Sequence, residues 1–295
     1  MASFRFYLVD VFAPKKYAGN QLAVVLAEKG LSTEKMQLIA LEMNYSETTF
    51  ILSSLPEQNG FPVRIFTPTT EIPFAGHPTL GTAFIIKKIF HYEKAPIMLN
   101  LQVGPIPVAP EINENGEEIY WMTQLPPQFG RNYSPEKIAP ALNLSPTDID
   151  PNYPIQEVST GLPFLVVPLC SLSALRQAKL EKNLFYQVVN KGLARAPLIF
   201  CPESYTGHHH LSVRVFADYY GVPEDPATGS ANGCLAGYLA HYQYFGSSDL
   251  NIRVEQGFEV KRPSLLYLRA SPDEKGTIKV EVGGQVILVA RGELI

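Results

Sequence analysis

Short runs in which apolar and polar residues alternate fill most of the chain, and each half is interrupted once by an apolar stretch of helical length. Phe4 to Val11 alternates as a strand, Ala18-Gly19-Asn20 reads as a turn, and Gln21 to Leu26 is a second, more continuously apolar strand. Ser32-Thr33-Glu34 opens a helix through Met43, with Thr33 accepting a backbone hydrogen bond and Met36, Leu38, Ile39 and Met43 forming its apolar face. Asn44-Tyr45-Ser46 ends that helix, and Glu47 leads into a strand from Thr48 to Leu52. Leu55 to Gly60 is loop and Val63 to Thr67 strand. Pro78 to Phe90 then forms a helix with so little polar surface that it belongs inside something.

From Ala95 to Pro110 β-forming residues alternate with turns, and Tyr120 to Leu125 is a further strand. The Pro-, Asn- and Asp-rich stretch 126–154 reads as the passage between two domains, with a short helix from Ser134 to Leu142. The second half repeats the order of the first. Strands are expected at Leu165–Pro168, Leu198–Cys201 and Ser212–Phe216, helices at Leu172–Gln177 and Leu184–Lys191, and an apolar helix from Ser230 to Tyr244. Ile252 to Ile295 holds at least three strands, with turns at Pro272-Asp273, Lys275-Gly276 and Gly283-Gly284.

The repetition is visible in the residues themselves. Val63-Arg-Ile-Phe66 and Ile72-Pro73 align with Val213-Arg-Val-Phe216 and Val222-Pro223 at an offset of 150 residues. Ala75-Gly-His-Pro78 aligns with Thr228-Gly-Ser-Ala231 at an offset of 153, so the second copy carries a three-residue insertion that is expected to bear Asp225. A duplication with this content predicts an α+β fold of two similar β-rich domains, each wrapped around a central helix, with a cleft between them. A doubly wound parallel sheet fits worse, since regular strand–helix alternation and a glycine-rich first turn are both missing.

Composition narrows the function. A chain of 295 residues with 46% hydrophobic and 18% charged residues has enough material for two cores. The formal net charge of −4, without any long run of Lys or Arg, excludes the footprint of a nucleic-acid binder. No stretch reaches the roughly eighteen apolar residues of a membrane span. The first residues run straight into a strand pattern, so no signal peptide is expected. Cys170, Cys201 and Cys234 are far apart and lack the spacing of a zinc site or redox pair, which suits a reducing cytoplasm.

The duplicated glycines carry the candidate chemistry. A helix start offers unpaired N–H groups and the positive end of the helix dipole, and Gly76 and Gly229 leave room for a ligand carboxylate to reach them. Packing or turn geometry alone would also place glycine there. His77 and Ser230 each follow their glycine and could bond a substrate or cap a helix. Asp225, forced extended before Pro226, could point into the cleft or cap its own turn. Glu47 interrupts apolar structure, and the 150-residue offset pairs it with Pro197, so only one side of the cleft would offer a base. A solvated strand Glu is the competing reading. His208-His209-His210 alternate in direction and cannot chelate one ion, so an exposed loop is expected; Cys234 reads as a buried packing residue.

In this order the motifs resemble the PhzF-like isomerases of phenazine biosynthesis, which share the fold of diaminopimelate epimerase. The resemblance rests on Asp10-Val-Phe12 with Gly19-Asn20, Asn44-Tyr-Ser-Glu-Thr48, Arg64-Ile-Phe-Thr-Pro68 with Glu71-Ile-Pro-Phe-Ala-Gly-His-Pro78, and Glu224-Asp-Pro-Ala-Thr-Gly-Ser-Ala-Asn-Gly233. Val282-Gly-Gly284 with Ala290-Arg-Gly-Glu293 extends it to the end of the chain. It implies two barrel-like domains, each threaded by a helix, divided at 1–120 and 121–282, with about 283–295 completing the first. By the same resemblance Glu47 is the acid–base residue, His77, Asp225 and Ser230 are its polar partners, and Gly76 and Gly229 supply backbone donors to the substrate carboxylate. Asn20 is counted as a further substrate-binding residue.

Thiol epimerases of this fold carry cysteines where this chain has Ala75 and Thr228, which argues against a two-thiol racemase. The family's characterised reaction isomerises a dihydro-3-hydroxyanthranilate by moving a proton along a conjugated system, without metal or organic cofactor. The expectation is therefore a cytoplasmic, homodimeric, cofactor-independent isomerase of a small carboxylic acid. An amino-acid racemase of the same fold and a non-catalytic acid-binding regulator remain as alternatives.

Overall fold

Residues 3–28 and 30–295 are described by a computed structural model, in which the chain divides into two compact units. One comprises residues 1–122 with 283–295, the other 123–282. The 126–154 stretch therefore belongs to the second unit and is not a passage between the two. The chain leaves the first unit within a strand, Glu118–Gln124, and returns to it within another, Ile278–Gly284.

In the first unit β1 (Phe4–Val11) and β2 (Asn20–Leu26) run antiparallel. The helix α1 (Thr33–Met43) crosses over to β3 (Glu47–Ile51), which lies parallel to β2. Its cap is Ser32, whose hydroxyl accepts from Lys35 N–H, while Thr33 instead accepts from the Arg64 guanidinium. Met36 and Ala40 face inward and Leu38 is exposed, so the apolar face is narrower than the sequence pattern predicts. Asn44 stops the helix in the left-handed conformation, at φ 53°. There follow β4 (Phe61–Phe66) antiparallel to β3, the two-residue β5 (Glu71–Ile72), the helix α2 (Gly76–Phe90), and β6 (Ile97–Leu101) parallel to β4. Next come β7 (Gly104–Ile112) and β8 (Glu118–Gln124), and the last strand of the chain, Val286–Leu294, pairs with β1. α2 packs against β1, β2, β3, β6 and β7, and its residues 76–86 are buried. Gly81 makes the close approach possible, since a Cβ there would lie 2.5 Å from Leu22.

The second unit repeats this plan. It begins with β9 (Gln128–Tyr133) and the short α3 (Pro135–Ala141), then β10 (Ile155–Ser159) antiparallel to both β9 and β11 (Pro163–Pro168). Two helices, α4 (Leu172–Gln177) and α5 (Lys182–Val189), cross to β12 (Pro197–Cys201), parallel to β11. β13 (Leu211–Ala217) pairs antiparallel with β12 and with β14 (Val222–Asp225), and after α6 (Gly229–His241) comes β15 (Leu250–Gln256), parallel to β13. β16 (Ser264–Pro272) and β17 (Ile278–Gly284) complete it. α6 is buried from Ala231 to Ala240 and packs against β10, β11, β15 and β16. β5, β9, β10 and β14 are absent from the sequence expectation. β5 is two residues long, β9 is mostly exposed without alternation, β10 carries the buried polar residues Gln156 and Glu157, and β14 carries Pro223, which reads as a turn.

Sheet register refines the repeat. The Arg of each Val-Arg-x-Phe motif grips a glutamate with both carboxylate oxygens: Arg64 to Glu71 at 2.7 and 2.6 Å, Arg214 to Glu224 at 2.9 and 2.8 Å. Ile65 pairs with Ile72, and its counterpart Val215 pairs with Asp225. Glu71-Ile72-Pro73 thus corresponds to Glu224-Asp225-Pro226, and Ile72-Pro73 does not correspond to Val222-Pro223. The extra residues fall between Phe216 and Glu224, where Asp218–Tyr220 forms a 3-10 turn; Asp225 is a replacement for Ile72, not part of an insertion.

A second register difference moves the counterpart of Glu47. Arg64 pairs with Phe50, whereas Arg214 pairs with Ile199. Stepping back along each strand sets Glu47 against Ala196 and not Pro197. The second copy still offers no acid there.

Candidate active site

Of the residues singled out by sequence, Asn20, Glu47, Gly76 and His77 belong to the first unit, and Asp225, Gly229 and Ser230 to the second. Glu47 opens β3, paired with Leu22 of β2, and His77 is the second residue of α2. The Thr82 hydroxyl of α2 bonds Thr49 of β3 at 2.8 Å and Pro78 carbonyl at 2.7 Å, tying helix to strand. That tie brings Glu47 Oε2 to 3.4 Å from His77 Nε2. Asn20 is buried at the first position of β2, one residue before Gln21, whose backbone bonds the His77 ring.

Burial pushes the His77 pKa down to about 3, and the Gln21 bond opposes this only in part. The ring is neutral at physiological pH. A bond to Gln21 that favours the protonated ring is one in which a ring N–H donates; with Nε2 turned to Glu47, Nδ1 is the donor. Nε2 is then the unprotonated ring nitrogen, 3.4 Å from Glu47 Oε2 and not hydrogen-bonded to it.

Both buried helices start without a side-chain cap. Ala75 and Thr228 precede them in extended conformation, at φ −152° and −114°. The first-turn N–H groups of α2 and α6 are thereby left to other acceptors. In the second unit Asp225 Oδ2 accepts the Thr228 hydroxyl at 2.6 Å, so its side chain does engage its own turn. Gln124 Nε2 donates to Gly229 carbonyl at 3.0 Å beneath the helix start. Gln256, wholly buried, bonds Asp225, Thr228 and Asn232. Gln124 and Gln256 were invisible to sequence reasoning, because an amide in a strand pattern carries no signal until its partners are known.

The histidine run is only partly exposed loop. His209 turns inward to Glu255 at 2.5 Å, a buried carboxylate that also accepts the Tyr205 N–H and the Thr206 hydroxyl. Cys234 is fully buried, with its thiol pushed up to about 11 by desolvation. Among the described residues no group of three or more His, Cys, Asp or Glu is placed to hold a metal ion, and no helix is long and apolar enough to cross a membrane.

Comparison with known proteins agrees with this architecture. A structure of the PhzF-family phenazine biosynthesis protein of Bacillus anthracis superposes with a TM-score of 0.92 at 30% identity, covering 100% of both chains. The trans-2,3-dihydro-3-hydroxyanthranilate isomerase of Pseudomonas aeruginosa is 34% identical over 290 residues, 98% of each chain. A probable proline racemase from Agrobacterium radiobacter shares the α+β fold at a TM-score of 0.61 and 9% identity, over 99% of this chain and 93% of that one. Residues 9–292 match the phenazine biosynthesis-like protein family, PhzC-PhzF; the chain belongs to that family and is an isomerase.

Proposed function

We propose that this isomerase moves a proton on a small cyclic carboxylic acid of the dihydro-3-hydroxyanthranilate type, with Glu47 as both acid and base. The observation that carries the reading is the contact between Glu47 and an uncharged His77. As a carboxylate, Glu47 takes a proton from substrate carbon, and the C–H electron pair passes into the conjugated system. As a carboxylic acid it has an O–H, and His77 Nε2 is the acceptor that holds it. The same proton then returns to a carbon further along the system, and Glu47 is a carboxylate again. No oxidation state changes, so the reaction calls for no redox cofactor.

The uncapped starts of α2, at Gly76, and of α6, at Gly229, each suit a substrate carboxylate, in the way helix N-termini hold anions. Asn20, Asp225 and Ser230 bond the remaining polar groups. A cytoplasmic homodimer is the form in which we expect the protein to work. Single-base chemistry fits the repeat: the counterpart of Glu47 is Ala196, and Ala75 and Thr228 stand where thiol epimerases carry cysteine. An amino-acid racemase would need a base on both faces.

The test is incubation of trans-2,3-dihydro-3-hydroxyanthranilate with the purified protein in D2O. Isomerisation without added cofactor supports the proposal. Recovery of the acid unchanged, with α-proton exchange in free amino acids instead, would turn the assignment over to the racemase.

A further inference from the structure

The two copies of the strand–turn–helix unit hold their turns by different chemistry. In the first, Ile72 and Ala75 occupy the positions of Asp225 and Thr228. The parallel pairing of β4 with β6 and of β13 with β15 extends the comparison: Pro62 pairs with Asn100 and Ser212 with Glu255, so the next residues, Leu101 and Gln256, are counterparts. Three apolar residues in one copy stand where the other has three polar ones.

The polar three form a chain of fixed direction. Gln256 Nε2 donates to the Asp225 carbonyl at 2.8 Å and to the Thr228 hydroxyl at 3.1 Å. Gln256 Oε1 accepts from Thr228 N–H at 3.2 Å and from Asn232 at 2.8 Å. The amide has no valence left over. Because the Thr228 oxygen already receives an N–H, its own proton is directed to Asp225 Oδ2, 2.6 Å away. Gly257 lets β15 end this close to the turn: it sits at φ +81°, and a Cβ there would come within 2.5 Å of Pro226 carbonyl.

The turn itself does not require this network. The first copy makes the same turn with Ile72, Ala75 and Leu101, and there the helix-start carbonyl of Ala75 is bonded by Thr79, as that of Thr228 is by Asn232. What the second copy has in addition is a carboxylate to aim. We propose that Thr228 and Gln256 are positioning residues that fix the direction of the Asp225 carboxylate for catalysis, with Gln256 setting the direction of the Thr228 hydroxyl. This rests on the reading of Asp225 as a substrate-binding residue.

The experiment compares Thr228→Val, Thr228→Ser and Gln256→Leu with wild type, using trans-2,3-dihydro-3-hydroxyanthranilate as substrate and Glu47→Gln as a control. Loss of a hydrogen bond to a charged group predicts a kcat lower by about 10- to 100-fold in Thr228→Val and Gln256→Leu, with smaller changes in KM. Thr228→Ser, which keeps the hydroxyl, should stay within about threefold of wild type. Equal loss in Thr228→Ser and Thr228→Val means a packing role and overturns the inference; so does full activity in Thr228→Val.

A triple variant, Asp225→Ile with Thr228→Ala and Gln256→Leu, should fold with its second unit intact and lack activity. Failure of the proposed function reads differently, as wild-type activity in Glu47→Gln or no turnover by wild type. In the latter case crystal structures decide: an Asp225 side chain that keeps its wild-type rotamer in Thr228→Val overturns the positioning role, and one that swings away supports it.

Discussion

Glu47 and His77 come from different elements, a strand start and a helix start, and meet with 3.4 Å between Oε2 and Nε2. His77 is buried and neutral, so the pair is not an ion pair at physiological pH. It sets a carboxyl group beside an uncharged imidazole. A charged imidazolium in the same place would bind the carboxylate and hold back proton uptake.

The depressed pKa of His77 makes stability depend on pH. The unfolded chain binds a proton at this residue below its ordinary value of 6.5, and the folded protein does so only near 3. Between those values the unfolded state holds more protons, so stability falls as the pH drops through the window. Roughly 2 kcal/mol is lost from this group between pH 7.5 and 5. Denaturant midpoints at pH 7.5 and 5 should differ more for wild type than for His77→Gln.

The duplicated Arg–Glu grips should differ in worth because they differ in burial. Arg214 is 7% exposed at its side chain and also donates to the carbonyls of Leu175 and Ala178 at the end of α4, whereas Arg64 is 25% exposed. Glu224→Gln removes the nearer of two carboxylates from a buried guanidinium, leaving Glu259 at 3.8 Å, and should cost about 2 kcal/mol. Glu71→Gln should cost about 1 kcal/mol. Chemical denaturation of the two variants checks the order; equal losses would mean that the grips are equivalent.

The thiols should separate by accessibility. Cys170 is exposed, while Cys201 and Cys234 are buried with their thiols pushed up to about 11 by desolvation. A thiol reagent at pH 8 should modify Cys170 alone in the folded protein and the other two only after unfolding. Rapid labelling of Cys234 in the folded state would contradict the packing of α6 described above.

Much of the fold was legible because a duplication writes its pattern twice. Val63-Arg-Ile-Phe66 and Val213-Arg-Val-Phe216 locate equivalent strands, and the apolar runs after Gly76 and Gly229 locate the buried helices. The details that escaped are matters of register and of partnership. An offset counted along the chain gives Pro197 as the counterpart of Glu47, and only cross-strand pairing reveals Ala196. Ser32 and Thr33 are equally good caps on paper; Arg64 claims Thr33 and leaves Ser32 to the helix. Gln256 looks like any strand residue until the turn that consumes its hydrogen bonds is folded against it.

The measurement closest to the central claim is deuterium uptake at carbon when trans-2,3-dihydro-3-hydroxyanthranilate is turned over in D2O by wild type and by Glu47→Gln. Glutamine keeps the shape of residue 47 and removes its ability to carry a proton. Isomerisation and carbon exchange should both slow by about 10²- to 10⁴-fold in the variant, with the melting temperature little changed. Exchange in Glu47→Gln as fast as in wild type would contradict that claim.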